Sequence, residues 1–245
     1  MRFEHATRAA KGARSYQEDA AEVRADEARL TAALADGMGG HAGGALASGL
    51  ASMFFVQAVA MSSAPDVGTR LAEALNVANE AIAHETDEDP SLAGMGCTLI
   101  GALFGPEGVE WVSVGDSPLF LVRKGEIVRL NEDHSLAPEI DKLAAMGKIS
   151  WDAARADPRR HVLRSALTGT EIDLVDRSQR PLALQPGDMV ILASDGIHSV
   201  SHADIVRVVA GAPTADAAAE ALLAAVEAAG SAHQDNTTVV VVRAA

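Results

Sequence analysis

The chain has 245 residues, 48% of them hydrophobic and only 3% aromatic, and its formal net charge is −14. This composition supports a sizeable core built mainly from Ala, Val, Leu and Ile and argues against disorder, while the negative charge argues against a nucleic-acid partner. The single cysteine, Cys97, excludes an internal disulfide. Residues 1–13 lack the apolar core of a signal peptide, and the longest apolar stretch, residues 53–61, is too short to span a bilayer. We therefore expect a cytoplasmic protein with no membrane partner.

The N-terminal part of the chain predicts a strand pair followed by two helices. Strand-like patterns cover residues 20–24 and 30–35, which we interpret as a hairpin. In an antiparallel pair the start of the first strand meets the end of the second. Helical periodicity then covers residues 45–61 and 68–86.

The middle of the chain predicts short strands separated by glycine-containing turns, as in a meander. These predicted strands cover residues 99–104, 109–114, 118–122 and 126–130. The polar segment 131–160 shows no strand pattern and predicts two short helices, at 137–146 and 151–156. We interpret it as an excursion from the sheet rather than a separate domain.

The C-terminal part predicts three more strands and two more helices. The strands are predicted at 172–176, 188–193 and 237–242, and the helices at 202–209 and 215–229. Strands in hairpin runs and helices in pairs do not alternate as β-α-β-α, which favours antiparallel sheets covered by helices. We expect one domain over residues 1–245.

Carboxylates stand at the ends of several predicted strands. Asp36 ends the strand at 30–35 and opens a glycine-rich segment, and Asp195 and Asp116 each follow an apolar strand directly. Asp235 precedes the last strand, and Glu18 with Asp19 precedes the first. Each acid alone reads best as a turn residue. Together at one rim they would repel each other and raise each other's pKa, a penalty that a divalent cation removes.

Seven segments in this order resemble the type 2C, or PPM, family of metal-dependent protein serine/threonine phosphatases, in particular its bacterial members. They are Arg14 with Glu18-Asp19, Ala-Asp-Gly-Met-Gly-Gly-His at 35–41, Gly-Met-Gly-Cys-Thr at 94–98, Val-Gly-Asp-Ser at 114–117, Val-Leu-Arg-Ser-Ala-Leu-Thr-Gly at 162–169, Ser-Asp-Gly at 194–196 and Asp-Asn-Thr-Thr-Val at 235–239. Each segment is a weak signal alone, and the ordered set covers nearly the whole chain.

The resemblance implies an α+β fold, a four-layer α-β-β-α sandwich of two antiparallel sheets flanked by helix pairs, with residues 131–160 as a flap. It also implies two Mg²⁺ or Mn²⁺ ions at one rim. Asp36 would bridge both ions and the Gly37 carbonyl would bind one of them.

The remaining acids take their implied roles from the same resemblance. Asp195 and Asp235 would hold the other ion. Glu18 and Asp19 match acids that act near the second metal, partly through bound water. Asp116 matches a ligand of a third, weaker metal.

The implied reaction is hydrolysis of phosphoserine or phosphothreonine in proteins by a hydroxide that bridges the metals. Arg14 matches the arginine that binds the substrate phosphate. His41 matches a histidine that touches substrate or protonates the leaving group, although a role in packing the turn is equally open. Because water is the nucleophile, Cys97 is expected to be a buried structural thiol. The implied partners are phosphoproteins of a bacterial serine/threonine kinase, or the kinase itself.

Three positions depart from the family pattern. Met38 stands where some members have a histidine, Pro118 replaces an arginine, and Ser199 replaces an acid, which leaves occupancy of the third metal site open. An alternative interpretation is a catalytically inactive phosphatase fold that binds phosphoproteins or acts as a sensor. A dinucleotide site is disfavoured, because the first helix is not followed by a parallel strand that ends in an acid.

Overall fold

A computed structural model describes residues 1–26, 28–40 and 42–245. Over these residues, the strands are β1 Phe3–Ala10, β2 Asp19–Ala25, β3 Leu30–Met38, β4 Gly96–Cys97, β5 Leu99–Gly105, β6 Gly108–Val114, β7 Leu119–Arg123, β8 Glu126–Arg129, β9 Asp176–Arg177, β10 Met189–Ala193 and β11 Thr237–Ala244. The helices are α1 Ala42–Met61, α2 Val67–Glu88, α3 Ala137–Ala145, α4 Trp151–Ala156, α5 His202–Ala210 and α6 Ala215–Ala228. One sheet has the order β1-β11-β10-β7-β8 and the other β2-β3-β5-β6-β9, with β4 paired to β3.

Hydrophobic contacts divide the molecule into four layers. Leu34, Ile100 and Val240 belong to a buried cluster between the two sheets. Helices α1 and α2 cover the outer face of the β3 sheet, and α5 and α6 cover the outer face of the β11 sheet. The predicted α-β-β-α sandwich of antiparallel sheets is confirmed.

Strand β11 shows why a continuous apolar run forms a central strand here. Val239 and Val241 face the cluster under α5 and α6, whereas Val240 and Val242 face the cluster between the sheets. Successive side chains of a strand point to opposite faces, so a strand buried on both faces needs an apolar residue at every position.

Helix α1 packs closely on the β3 sheet because small residues meet there. Ala47 and Ala51 lie in one cluster with Ala33 and Ala35 of β3. Residues Gly43–Met61 are long and apolar enough to cross a membrane by length and composition, a test that core helices of globular domains also pass. The apolar stretch is therefore longer than the 53–61 expected from the sequence, and here it packs against the sheet and α2.

Replacing two glycines by alanine, one within α1 and one on β5 facing α1, should change stability in opposite directions. A Cβ added at Gly49 meets nothing within 4 Å, whereas one added at Gly101 would lie 2.0 Å from Cζ of the buried Phe55 ring. We expect Gly49→Ala to raise the free energy of unfolding by about 0.5–1 kcal/mol, since alanine suits a helix interior better. Gly101→Ala should lower it by about 1–3 kcal/mol through overpacking. Urea unfolding of both variants checks this pair, and a Gly101→Ala variant as stable as the native chain would contradict it.

Three features of the sheets differ from the sequence-based predictions. The predicted meander is wrong, because β6 and β7 belong to different sheets and residues 115–118 cross between them. Strand β1 was not predicted, since it is an edge strand in which only Ala6 is buried and its residues lack a clear alternation. The predicted strand at 172–176 reduces to β9, which pairs with β6 at Asp176 and Arg177.

The segment 131–160 leaves the sheets as predicted. Its helices α3 and α4 share a small cluster of their own, formed by Ile140, Ala144 and Ala154. The last turn of the segment brings Arg160 against Asp141 on α3. This flap lies beside the rim described below, because His161 at its end lines the same cleft as the strand-end acids.

Candidate active site

The predicted hairpin places two acids opposite each other at one rim. In the antiparallel pair of β2 and β3, Asp19 is in register with Asp36. The Gly37 amide donates to the Glu18 carbonyl at 3.1 Å, which continues the pairing by one residue. A Cβ at Gly37 would lie 2.2 Å from the Gly44 carbonyl oxygen, so only glycine allows α1 to begin this close to β3.

The second sheet brings its own acids to the same rim. Asp195 follows β10 and Asp235 precedes β11, and these two strands are antiparallel neighbours. Asp116 lies where the chain crosses from one sheet to the other. A cleft of about 630 Å³ collects the side chains from both sheets. Among its lining residues are Arg14, Glu18, Asp36, Gly37, Asp116, Asp195 and Asp235.

Of the predicted site residues that the structure describes, only Asp19 is absent from the cleft wall. Asp19 is buried beside the cleft, and its Oδ2 accepts a hydrogen bond from the Ser194 hydroxyl at 2.8 Å. His41 lies outside the described residues, so its predicted role stays a prediction.

Thr98 holds Asp36 through the backbone. Its Oγ1 accepts from the Asp36 amide at 3.0 Å, and its own amide donates to the Asp36 carbonyl at 2.9 Å. The Thr98 and Ser117 hydroxyls lie 2.7 Å apart, which links the end of β3 to the crossing segment that carries Asp116. Both backbone groups of Asp36 are thus satisfied without its carboxylate, which stays available to the cleft.

Asn236 is a site residue whose role the sequence analysis missed. Its Oδ1 accepts from the Glu18 amide at 2.8 Å, and its Nδ2 donates to the carbonyls of Lys11 and Tyr16 at 2.8 and 2.9 Å. One buried side chain therefore fastens the segment that carries Arg14 and Glu18 to the start of β11. The only sequence signal was an asparagine directly after the strand-edge Asp235.

Burial and mutual repulsion raise the pKa of four of the rim acids, Asp19, Asp36, Asp116 and Asp195. Burial raises the pKa of Asp36 well above its usual range, and the charges of Asp19 and Asp195 raise it further. Burial raises the pKa of Asp19 to about 6, and burial together with the Asp195 charge raises that of Asp116 to about 7. The pKa of Asp195 is also raised, first by burial and then by Asp235. The rim is therefore a site where negative charge is unfavourable without a cation.

Arg14 supplies positive charge at the open side of the cleft. Its Nη2 lies 2.5 Å from Oδ2 of Asp235, and its side chain is 54% exposed. Hydrogen bonding and charge from Asp235 raise the pKa of the guanidinium. A cation so exposed can exchange this carboxylate for another anion that enters the cleft.

Two buried carboxylate oxygens have no hydrogen-bond partner in the described part of the chain. They are Oε1 of Glu18 and Oδ1 of Asp19. A Cβ at Gly44 would lie 2.6 Å from Glu18 Oε1, so the glycine at the start of α1 leaves room for this side chain. A buried charged oxygen without a partner is costly, and oxygen atoms of this kind are the ligands that hard divalent cations prefer. The donor set therefore fits a Mg²⁺- or Mn²⁺-type ion.

Asp19, Asp36, Asp116 and Asp195 give the chelated protein a pH dependence. Their pKa is raised in the folded state, so the folded chain binds more protons than the unfolded chain, and stability falls as pH rises from about 4 to about 7. We expect the melting temperature in chelator to fall over this window, and Mn²⁺ to restore it at pH 8. Burial lowers the pKa of His134, which gives an opposite contribution at and below the ordinary histidine pKa of about 6.5.

Differential scanning fluorimetry of native and Asp36→Asn protein separates these contributions, because the histidine contribution is common to both. In chelator, the melting temperature should fall less steeply with pH in Asp36→Asn than in the native protein. Equal slopes in chelator would contradict the electrostatic description of the rim.

Comparisons with known proteins identify the family. The sequence model of a family described as Protein phosphatase 2C matches residues 8–234. The chain is 35% identical over 217 residues to the serine/threonine protein phosphatase PstP of Mycobacterium tuberculosis, covering 87% of this chain but only 40% of that protein. It is 31% identical to the serine/threonine phosphatase stp of Listeria innocua, and the match covers 85% of this chain and 82% of that protein.

A solved structure of the catalytic domain of PstP in complex with two manganese ions has the same fold. It is 32% identical, covers 98% of this chain and 97% of that one, and has a TM-score of 0.79. The family model spans most of the chain, and the two antiparallel sheets with paired helices match this fold. The chain belongs to the protein phosphatase 2C family.

Proposed function

We propose that this chain hydrolyses phosphoserine and phosphothreonine in proteins in a reaction that requires Mn²⁺ or Mg²⁺. One observation carries the proposal: acids from both sheets and two exposed arginines, Arg14 and Arg164, line a single cleft. The names of the relatives and the two manganese ions in the PstP structure support the same activity. The sequence spans less than half of the mycobacterial relative, so the proposal concerns this chain alone.

The metal ligands are assigned as follows. Asp36 and the Gly37 carbonyl would hold one ion. Asp36, Asp195 and Asp235 would hold the other ion, and Glu18 and Asp19 would lie beside the two. Among the described residues, no group of three or more His, Cys, Asp or Glu side chains could hold an ion by itself. The assignment of Asp36, Asp195 and Asp235 to one ion therefore requires these carboxylates to close around the ion when it binds. Bound there, divalent cations lower the pKa of water and neutralise phosphoryl charge.

A third ion at Asp116 is proposed to bind weakly. Ser199 replaces the acid that other family members carry, and its hydroxyl donates to the Gly196 carbonyl within its own turn at 3.1 Å. Its side chain is therefore engaged by its own turn, and a neutral hydroxyl would be a poor substitute for a carboxylate.

The protein side of the reaction is binding and charge compensation. Arg14 can present two N–H groups to two phosphoryl oxygens once it leaves Asp235, a geometry that a lysine cannot reproduce. Water rather than a side chain serves as nucleophile. Cys97 is unsuited to that role, because it is buried, its Sγ donates to the Ala47 carbonyl at 3.6 Å, and burial raises its pKa.

The proposed substrates are phosphoproteins of a bacterial serine/threonine kinase, or that kinase itself, in the cytoplasm. The alternative is an inactive phosphatase fold that binds phosphoproteins or senses a signal. Loss of a principal metal ligand would favour it, but Asp36, Asp195 and Asp235 all line the cleft. We propose that His41 touches the substrate or protonates the leaving group, and the activity of a His41→Ala variant tests this role.

Release of phosphate from a phosphothreonine peptide and from a small aryl phosphate tests this proposal. We expect turnover of both with Mn²⁺ or Mg²⁺ and none in excess chelator. A folded protein that hydrolyses neither substrate with either metal would overturn the enzymatic proposal, and binding of the phosphopeptide without turnover would support the alternative.

A further inference from the structure

One wall of the cleft is a loop that the chemistry above does not use. We call residues 165–174 the cleft loop. Six of its residues line the cleft: Ser165, Ala166, Thr168, Thr170, Glu171 and Asp173. None of them is among the assigned metal ligands, and the loop lies in the same cleft as Arg14. A peptide whose phosphate is bound by Arg14 would therefore share the cleft with this wall.

The two ends of the cleft loop are fixed by hydrogen bonds. The Ser165 hydroxyl donates to the Leu174 carbonyl at 2.9 Å and accepts from the Leu174 amide at 3.0 Å. Leu167 exchanges backbone hydrogen bonds with Cys97 of β4 at 3.0 and 2.9 Å. These contacts fasten the base of the loop but leave residues 168–170 beyond it.

Helix α2 holds the part of the loop that the base leaves unfixed. The Asn79 Oδ1 accepts from the Gly169 amide at 2.9 Å, and its Nδ2 donates to the Thr170 carbonyl at 2.7 Å. Gly169 has a φ of +79°, and a Cβ there would lie 2.6 Å from the Cα of Ala83, one turn further along α2. The loop thus rests directly on the helix, and both polar groups of one amide side chain keep it there.

We infer that Asn79 is a positioning residue for phosphopeptide binding, which holds residues 168–170 of the cleft loop where the peptide beside the phosphate lies. The inference rests on the proposed function. Asn79 does not itself line the cleft. Asn79 therefore acts on substrate binding through the loop, and its replacement should affect substrates long enough to contact that wall.

A substrate pair and a graded set of variants test this inference. Asn79→Ala removes both hydrogen bonds, and Asn79→Asp keeps the acceptor for Gly169 but loses the donor to Thr170. Asn76→Ala is the matched control, an exposed asparagine on the same helix that is absent from the cleft wall. For a phosphothreonine peptide, Asn79→Ala should lower kcat/KM about 10-fold, mainly through KM, with Asn79→Asp intermediate.

The small aryl phosphate separates positioning from general damage to the fold. Its kcat/KM should stay within about twofold in both Asn79 variants, because it is too small to reach the wall. Asn76→Ala should match the native chain on both substrates. Equal losses on both substrates, or an unchanged peptide KM in Asn79→Ala, would overturn the inference.

Failure of the proposed function would be visible separately, as a native chain that hydrolyses neither substrate. In that case the Kd of the phosphothreonine peptide, measured by fluorescence anisotropy, replaces KM. A Kd raised about 10-fold in Asn79→Ala supports positioning without catalysis, and an unchanged Kd overturns it.

Discussion

Replacing Asp36 by asparagine should lower kcat on a phosphothreonine peptide by about 1000-fold or more, because the carboxylate assigned to both metal ions is lost. The same change should raise the melting temperature of the chelated protein. Burial and four neighbouring acids raise the pKa of Asp36, so its charge destabilises the fold when no cation is bound. Each kcal/mol gained corresponds to about 2–4 °C in a domain of this size. Phosphate release in the presence of Mn²⁺ measures the effect on kcat, and scanning fluorimetry in chelator measures the effect on the melting temperature.

Asp87→Asn is the matched control, since it removes the same charge from an exposed position on α2. It should leave both activity and melting temperature close to those of the native chain. The opposite signs for activity and stability distinguish a functional acid from a structural one. An Asp36→Asn variant that is both inactive and less stable in chelator would show that Asp36 mainly supports the fold.

Replacing Arg14 should give the second large effect. We expect Arg14→Ala to lower kcat/KM about 10- to 150-fold, the range expected from the loss of a hydrogen bond to a charged group. Arg14→Lys should be intermediate, because it keeps the charge but loses the planar pair of donors. Steady-state kinetics on the peptide provides the measurement, with Arg207→Ala, an exposed arginine on α5, as control.

Metal affinity gives Arg14 a second signature. The guanidinium lies 2.5 Å from Asp235 Oδ2, so it competes with a cation for this carboxylate. Arg14→Ala should therefore bind Mn²⁺ at least as tightly as the native chain while turning over more slowly. Loss of Mn²⁺ binding in Arg14→Ala would instead mean that the arginine builds the metal site.

Local patterns predicted much of the fold. The two strands that form β2 and β3 were found from their residues, and their antiparallel pairing placed Asp19 beside Asp36. Sheet membership was not predictable in the same way. The turn at residues 115–118 looks like any glycine-containing turn, although it carries the chain from one sheet to the other. Which sheet the next strand joins depends on its pairing with strands that are distant in sequence, and the local sequence contains no information about that pairing.

The candidate site likewise contains residues that local sequence patterns predict and residues that they do not. Its acids were predictable because each stands at one end of a predicted strand. Thr98, Asn236 and Asn79 were not, because each acts through hydrogen bonds to backbone groups far away in sequence. A polar residue in a helix or at a strand start has the same sequence signature whether it faces solvent or holds a loop.

The proposed function requires acids from two sheets to form one site for a pair of divalent cations. Calorimetric titration with Mn²⁺ at pH 7.5, on native and Asp36→Asn protein side by side, tests it most directly. We predict two ions per native chain and the loss of at least one of them in Asp36→Asn. A native chain that binds no Mn²⁺, or an Asp36→Asn variant that binds it with unchanged stoichiometry and affinity, would contradict the proposal.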